Sequence, residues 1–480
     1  MGIRFGTDGW RAVIAETFTF ANLRLVAQAV ADYVNAELSD GTKPPEVVIG
    51  YDTRFLSDRF AAEVARVMAG NGIVAWLTRA DTPTPALSYN VKAKGAVAGV
   101  MITASHNPPR YNGFKLKSAD GAAAPAHVAR QVETYLERLQ NDARGPNLMD
   151  LQHGLDREMI RRFDPSWGYY EHLSTLVDMD IISEGELRIV ADAMFGSGRG
   201  AFREFLGRTR SRVREIRNYM NPGFEGIHPE PIAQNLSLLS AAIRQEHADV
   251  GIATDGDADR IGAMDSRGEF VSPHQIMALA LRYLVEKRGL RGDVVKTVST
   301  TAMINRIAKK HNLTVLETPV GFNHIAEHMM SRDVLIGGEE SGGISIRGHV
   351  PEGDGVLMGL VLLEIMAAAG RSTPLHEIID DLQNEYGPSH YERIDLRLKA
   401  PVSKPVIVKQ LTENAPAALA GQSVVEVQNF DGVKYILADD SWLLIRPSGT
   451  EPVLRLYAEG TSADMVQELL VYARTLVSPS

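Results

Sequence analysis

Four short segments of this chain carry side chains whose types and spacing could do chemistry. In Thr103-Ala104-Ser105-His106-Asn107-Pro108, an apolar run ends in a hydroxyl flanked by a Thr, a His and an Asn. Ser105, with His106 beside it, could act as a nucleophile or phosphate carrier if a base, a positive charge or a metal activates it. The same residues also read as a plain turn with an Asn-Pro punctuator. In Asp255-Gly256-Asp257-Ala258-Asp259-Arg260, three carboxylates alternate around small residues. Such a hard, oxygen-rich set suits Mg²⁺, which usually pairs one or two carboxylates with a phosphate oxygen. An EF-hand is excluded, because its sixth and twelfth positions need Gly and Glu and here hold Arg260 and Ser266. A solvated acidic loop is the plainer reading.

The third segment, Gly338-Glu339-Glu340-Ser341-Gly342-Gly343, offers paired carboxylates and a hydroxyl on a Gly-rich loop. That suits vicinal sugar hydroxyls, and equally an exposed charged turn. The fourth, Arg446-Pro447-Ser448-Gly449-Thr450-Glu451-Pro452, can wrap a phosphate. Arg446 would give bidentate charge-assisted bonds, and the flexible backbone would turn N–H groups to the remaining oxygens. A strand-to-strand turn is the alternative. Gly196-Ser197-Gly198-Arg199-Gly200 lacks the full dinucleotide fingerprint, and the 13 His residues show no metal-ligand spacing.

Composition narrows the classes. The chain has 480 residues, 44% of them hydrophobic, so it can bury about three domains' worth of core. With no Cys, disulfides, thiolate metal sites and a catalytic thiol are excluded. A net charge of −10 argues against a nucleic-acid partner, though local Arg and Lys can still draw an anionic substrate into a cleft. The most apolar stretch, Val356 to Gly370, is too short to span a bilayer and contains Glu364. The start lacks a secretory pattern, so a soluble, cytoplasmic protein is expected, with no membrane partner, as a monomer or homodimer.

The elements that must position these loops follow a repeated grammar. Short β-branched runs at 45–54, 95–108, 187–206, 248–260 and 333–343 each end in a polar loop, and amphipathic stretches such as 57–72 alternate with them. That alternation predicts α/β layers, with ligands outside the carboxyl ends of the strands. Expected segments are 1–150 with the Ser105 loop, 151–265 with the Asp loop, and 266–387 with the Glu loop. Residues 388–480 read as hairpin strands closed by a helix, a smaller α+β domain carrying the Arg446 loop.

These loops in this order, with the opening Gly6-Thr7-Asp8-Gly9-Trp10-Arg11, resemble the α-D-phosphohexomutase superfamily over nearly the whole chain. The resemblance implies three α/β domains of shared topology, with mixed, largely parallel sheets, and a smaller fourth domain around a central cleft. It implies that Ser105 is a phosphoserine and that Asp255, Asp257 and Asp259 hold Mg²⁺, with the Ser105 phosphate completing the site. Arg260, Lys115, Arg11 and His106 would act near the transferring phosphoryl group. Glu339 and Ser341 would contact sugar hydroxyls, with Gly321 a further substrate contact. Arg446, Ser448, Gly449 and Thr450 would hold the phosphate that is not reacting. The implied reaction runs through a hexose 1,6-bisphosphate that must turn over in the cleft. Where many relatives carry Lys this chain has Asn323, followed by His324; where some carry His it has Gly343, with His349 a few residues on; and Trp10 replaces a smaller apolar residue.

The Glu339-Glu340-Ser341 pattern looks like the glucose type, so a phosphoglucomutase is the leading expectation. A phosphomannomutase or dual-specificity enzyme is the alternative, with a phosphoglucosamine mutase behind it. A Ser-dependent sugar phosphatase and a non-catalytic sensor are competing readings of another class.

Overall fold

The run Glu46–Tyr51 is β-branched at three successive positions and becomes a strand buried on both faces. Val47 and Ile49 pack under the helices Phe20–Tyr33 and Ser57–Gly70. Val48 faces the other way, onto Leu87 and Val91 of Thr84–Ala93. Helices on both faces are what a parallel sheet needs, since neither face can meet water. The computed structural model describes residues 3–6, 9–398, 403–447 and 453–477.

Four sheets result. The first runs in the order Trp10–Val13, Tyr111–Ser118, Ala98–Ile102, Glu46–Tyr51, Val74–Thr78, Ile160–Phe163. Its last four strands are parallel, and Tyr111–Ser118 runs antiparallel to both of its neighbours, Ala98–Ile102 and Trp10–Val13. The second places Val250–Thr254 parallel to Arg188–Asp192, which is parallel to Arg212–Ile216; Ile261–Asp265 and Phe270–Val271 return antiparallel. The third holds Val315–Thr318, Asp293–Thr297 and Val334–Gly338 in parallel, with Ile344–Ile346 antiparallel. The fourth is antiparallel throughout, its six strands lying between His390 and Gly460. Lys404–Glu413 and Ala463–Val477 accompany it.

One device recurs in the three mixed sheets. A buried parallel strand ends, a polar loop follows, and the chain returns antiparallel beside the same strand. The Ser105, Asp and Glu loops occupy these three returns. The expected α/β-plus-smaller-domain architecture is therefore present, with mixed sheets. The sheets run past the expected boundaries at 150 and 265: Ile160–Phe163 pairs with Val74–Thr78, and Phe270–Val271 with the strand after the Asp loop. A short strand with few neighbours in sequence is placed by its pairing, which residue order does not reveal.

The apolar stretch becomes the helix Gly355–Ala369, buried along nearly its whole length between the second and third sheets. Gly359 lets Phe202 approach, since a Cβ there would lie 2.5 Å from the ring. Among the described residues no helix is long and apolar enough to cross a membrane.

Candidate active site

Ser105 sits at the head of its loop with φ of 51°, a left-handed conformation that costs a non-Gly residue energy and needs outside support. Its Oγ donates to Asp255 Oδ2 at 2.8 Å, across the seam between the first two sheets. His106 Nδ1 lies 3.4 Å from the same Oγ. Burial, and then the Arg260 and Arg11 charges, push the His106 ring well below its usual pKa and keep it neutral. Arg11 Nη1 donates to Asn107 Oδ1 at 2.7 Å and so braces this loop from the opening segment.

The Asp loop closes on the other side. Ligand atoms of Asp255, Asp257 and Asp259 lie within 4.8 Å of one another. Lys115 Nζ, on the strand returning from the Ser105 loop, is 3.0 Å from Asp257 Oδ2 and 2.9 Å from Asp259 Oδ2. Thr84 Oγ1 donates to Asp257 Oδ2 at 2.6 Å. Burial works against the Asp257 charge, but Lys115 and Thr84 hold its carboxyl well below the usual range. Burial, with Asp259 and Asp257 nearby, pushes Asp255 well up. The residues fit a divalent cation on two counts. Asp257 Oδ1 and Asp259 Oδ1 are buried with no hydrogen-bond partner, and a carboxylate oxygen from each of the three aspartates can converge on one point. The donor set is all oxygen, as Mg²⁺ requires.

Glycines let the seam close. A Cβ at Gly256 would stand 2.5 Å from the Ser105 carbonyl oxygen. The Gly196–Gly200 segment packs beneath the Asp loop: a Cβ at Gly196 would lie 2.6 Å from the Asp255 carbonyl, and Ser197 N donates to Gly256 O at 3.0 Å.

Arg260 follows the triad, its Nη1 3.5 Å from Glu230 and its Nε 3.9 Å from Asp259. Burial opposes its charge, yet Asp259, Glu230 and Asp255 keep it protonated. The Glu loop docks here, since Ile261 N donates to Gly342 O at 3.1 Å. Ser341 Oγ donates to Glu339 Oε1, and burial pushes the Glu339 carboxyl up. Glu340 turns away, to Arg393 at 3.5 Å.

Ser105, His106, Arg11, Lys115, the three aspartates, Arg260, Glu339 and Ser341 thus converge. Arg446 stands apart, its Nε donating to Asp431 Oδ2 at 2.8 Å. Asp431 also accepts from Val320 N at 3.0 Å, which ties Arg446 to the turn holding Gly321. Gly321 has φ of 135° and precedes the helix Phe322–Ser331. Ser448, Gly449 and Thr450 lie outside the described residues. His349 faces His172, with ring nitrogens 3.1 Å apart, in a separate cluster.

Sequence reasoning passed over Arg54, Thr84 and Glu230. Arg54 carried one readable signal, a charged residue in a polar loop after an apolar run, like the four segments it did single out. Thr84, in Pro83-Thr84-Pro85, reads only as a helix start.

Family models of the phosphoglucomutase/phosphomannomutase alpha/beta/alpha domains I, II and III match residues 2–143, 168–268 and 272–386. The model of that family's C-terminal domain matches 403–475. A Thermococcus kodakarensis protein named "Probable phosphoglucosamine mutase" is 31% identical over 99% of this chain and 98% of its own. A "Phosphoglucomutase/phosphomannomutase" of the same organism is 29% identical over 98% and 97%. The crystal structure of a "putative phosphomannomutase" from Thermus thermophilus superposes with a TM-score of 0.85 at 35% identity, covering 99% of both chains. The class is thereby fixed as a phosphohexomutase, an isomerase that moves a phosphoryl group within a sugar phosphate. Within it, the chain belongs to the phosphoglucomutase/phosphomannomutase family.

Proposed function

We propose that this protein is a Mg²⁺-dependent phosphoglucomutase that interconverts α-D-glucose 1-phosphate and glucose 6-phosphate, with mannose phosphates as second substrates. The observation that carries this reading is Ser105 Oγ held on Asp255 beside the two orphaned oxygens of Asp257 and Asp259. Asp255, Asp257 and Asp259 would hold the ion, which supplies charge neutralisation at the phosphoryl oxygens when bound.

The active form carries a phosphoryl group on Ser105 Oγ. A sugar monophosphate binds with its distant phosphate at Arg446, Ser448, Gly449 and Thr450 and with ring hydroxyls at Glu339 and Ser341. Its free hydroxyl attacks phosphorus and gives up its proton, the bond to Ser105 Oγ breaks, Oγ takes up a proton, and a hexose 1,6-bisphosphate forms with the free Ser105 hydroxyl. Neutral His106, 3.4 Å from Oγ, is placed to hold a proton there. Arg260 and Lys115 offset the charge that develops on the phosphoryl oxygens. The bisphosphate turns over and returns its other phosphoryl group to Ser105. The Thermococcus name that joins glucose and mannose activities supports substrates that differ at one hydroxyl. Glu340, where glucosamine-type relatives usually carry Gln, faces Arg393 rather than Glu339.

Phosphorus NMR of the Mg²⁺-loaded protein with α-glucose 1-phosphate and a trace of glucose 1,6-bisphosphate tests this. Glucose 6-phosphate should appear, and Ser105→Ala should abolish it. Release of free phosphate instead would replace the mutase with a phosphatase, and faster turnover of glucosamine phosphate would overturn the glucose assignment.

A further inference from the structure

Arg54 lies three residues past the strand Glu46–Tyr51, its side chain wholly buried. Nη2 donates to the carbonyls of Ser105 and Asn107, both at 2.6 Å. Nη1 donates to those of Pro108 and Tyr111, at 2.9 and 3.0 Å. Nε faces Asp52 Oδ2 at 3.1 Å. A guanidinium has five N–H bonds in a fixed plane, and here the four on Nη1 and Nη2 are directed at one loop, while Nε is buried beside the Asp52 carboxylate. Both Nη groups are used on this loop.

The other end of the Ser105 peptide leads back to the same pair. Ser105 N donates to Thr103 Oγ1 at 2.8 Å, and Thr103 Oγ1 donates to Asp52 Oδ2 at 2.6 Å. Asp52 Oδ1 also accepts from Arg54 N and Ser57 Oγ, both at 2.9 Å. Both backbone groups of Ser105 therefore end at Asp52 and Arg54, and the left-handed conformation at Ser105 is held from two sides. The Ser105 carbonyl that Arg54 grips is also the atom against which Gly256 of the Asp loop rests. Arg54 crosses the seam as well, its guanidinium lying 5.1 Å from the Phe224 ring centroid.

We propose that Arg54, with Asp52, is the positioning unit that fixes the Ser105 backbone against the Asp loop, so that Oγ keeps its bearing on Asp255 while a phosphoryl group is gained and lost. This inference rests on the mutase reading given above. The unit acts through the loop, and Arg54 touches neither sugar nor phosphoryl oxygens. Lysine cannot replace it, because three N–H bonds radiating from one nitrogen cannot span four carbonyls.

Single-turnover phosphorylation of Ser105 by glucose 1,6-bisphosphate, read by mass spectrometry, tests the proposal beside steady-state kinetics. In Arg54→Lys the phosphorylation rate constant and kcat should fall together by about 100-fold, the scale of a small misplacement of reacting groups. KM for glucose 1-phosphate should stay within about threefold, because no sugar contact is touched. Thr103→Val, a milder break in the same ring, should lower the rate constant about tenfold, and it decides the matter if Arg54→Lys does not fold. A reduced amplitude with an unchanged rate constant in the variants would mean that Arg54 only supports folding, and it would overturn the proposal. Failure of the wild type to become phosphorylated would sink the mutase reading instead.

Discussion

Ser105 and the Asp loop meet across a seam crowded with polar contacts, whereas Arg446 is held, among the described residues, by Asp431. The seam joins two sheets through Ser105 on Asp255, Lys115 on Asp257 and Asp259, and Thr84 on Asp257 through both side chain and backbone. At the other end, one carboxylate serves Arg446, Lys404 and Val320 N together. The proposed chemistry explains the contrast. Phosphoryl transfer depends on positioning at the reacting atoms, so the seam is closed and close-fitting. The far phosphate must be held for a sugar that binds in two orientations, which asks for charge more than for fixed geometry. Changes at the seam should therefore appear in kcat, and changes at Arg446 in KM.

The largest effect is expected from Asp257→Asn. It removes an oxygen charge from the proposed ion site and a partner from Lys115 and Thr84. We expect kcat to fall by on the order of 10³, and stabilisation by Mg²⁺ in a thermal melt to weaken with it. Chelation of Mg²⁺ in the wild type should give a comparable loss of turnover. A fall of less than tenfold would show that the triad is a structural acidic cluster.

Arg446→Ala should raise KM for glucose 1-phosphate about 30-fold and leave kcat within a few-fold, as loss of a charge-assisted phosphate contact does. Equal losses in kcat and kcat/KM would erase the distinction between the two ends and place Arg446 in the reacting half.

Gly342 asks which side the sugar loop belongs to. Its φ is +98°, and a Cβ there would stand 2.5 Å from the Ile261 carbonyl oxygen, beside the bond that docks this loop on the strand leaving the Asp loop. Gly342→Ala should cost about 1–3 kcal/mol of stability, measured by denaturant unfolding, and lower kcat along with it. A change confined to KM would move the Glu loop to the binding end.

The candidate loops were legible because their chemistry demands particular side chains: a hydroxyl, three carboxylates, a Glu with a Ser, an Arg. Each also ends an apolar run, which marks a strand exit. What holds those side chains was not legible. Thr84 and Glu230 are ordinary residues in Pro-Thr-Pro and Pro-Glu-Pro, Arg54 had only its place at a strand exit to mark it, and chain crossing gives the three their partners at Asp257, Arg260 and Ser105. Glu340 shows the same limit inside a motif. The motif folds as a tight turn, Gly342 N donating to Glu339 O, which brings Ser341 Oγ back onto Glu339 while Glu340 meets Arg393. The fold class followed from alternation of runs, but the pairing of Ile160–Phe163 with the first sheet depended on which edge was free.

The mildest prediction separates buried polar wiring from the site itself. His172 Nε2 lies 3.1 Å from His349 Nδ1, and His349 Nε2 lies 3.1 Å from Asp354 Oδ2, with Tyr169 OH donating to the same carboxylate. Asp354 also caps the buried helix Gly355–Ala369 through Leu357 N. This cluster is as closely joined as the seam; its side-chain bonds run among its own members and to Leu357 N, and it meets the Asp loop through the neighbouring backbone, Gly355 N donating to Ala258 O. Burial, and then His349, push His172 down to about 4, against the opposing pull of Asp354 and with Lys92 adding to the shift. A depressed imidazole makes the unfolded chain take up the proton first. Stability should then fall as pH drops below about 6.5 and level off below about 4. For a half-buried ring, solvent screening leaves about 1 kcal/mol of this effect. His172→Gln should shrink that acid limb in urea unfolding compared at pH 7 and pH 5, leaving the share of the other depressed rings, His106 and His274, while kcat at pH 7 stays at the wild-type value. A fall in kcat would tie this cluster to the seam and extend the positioning network well beyond the loops that do the chemistry.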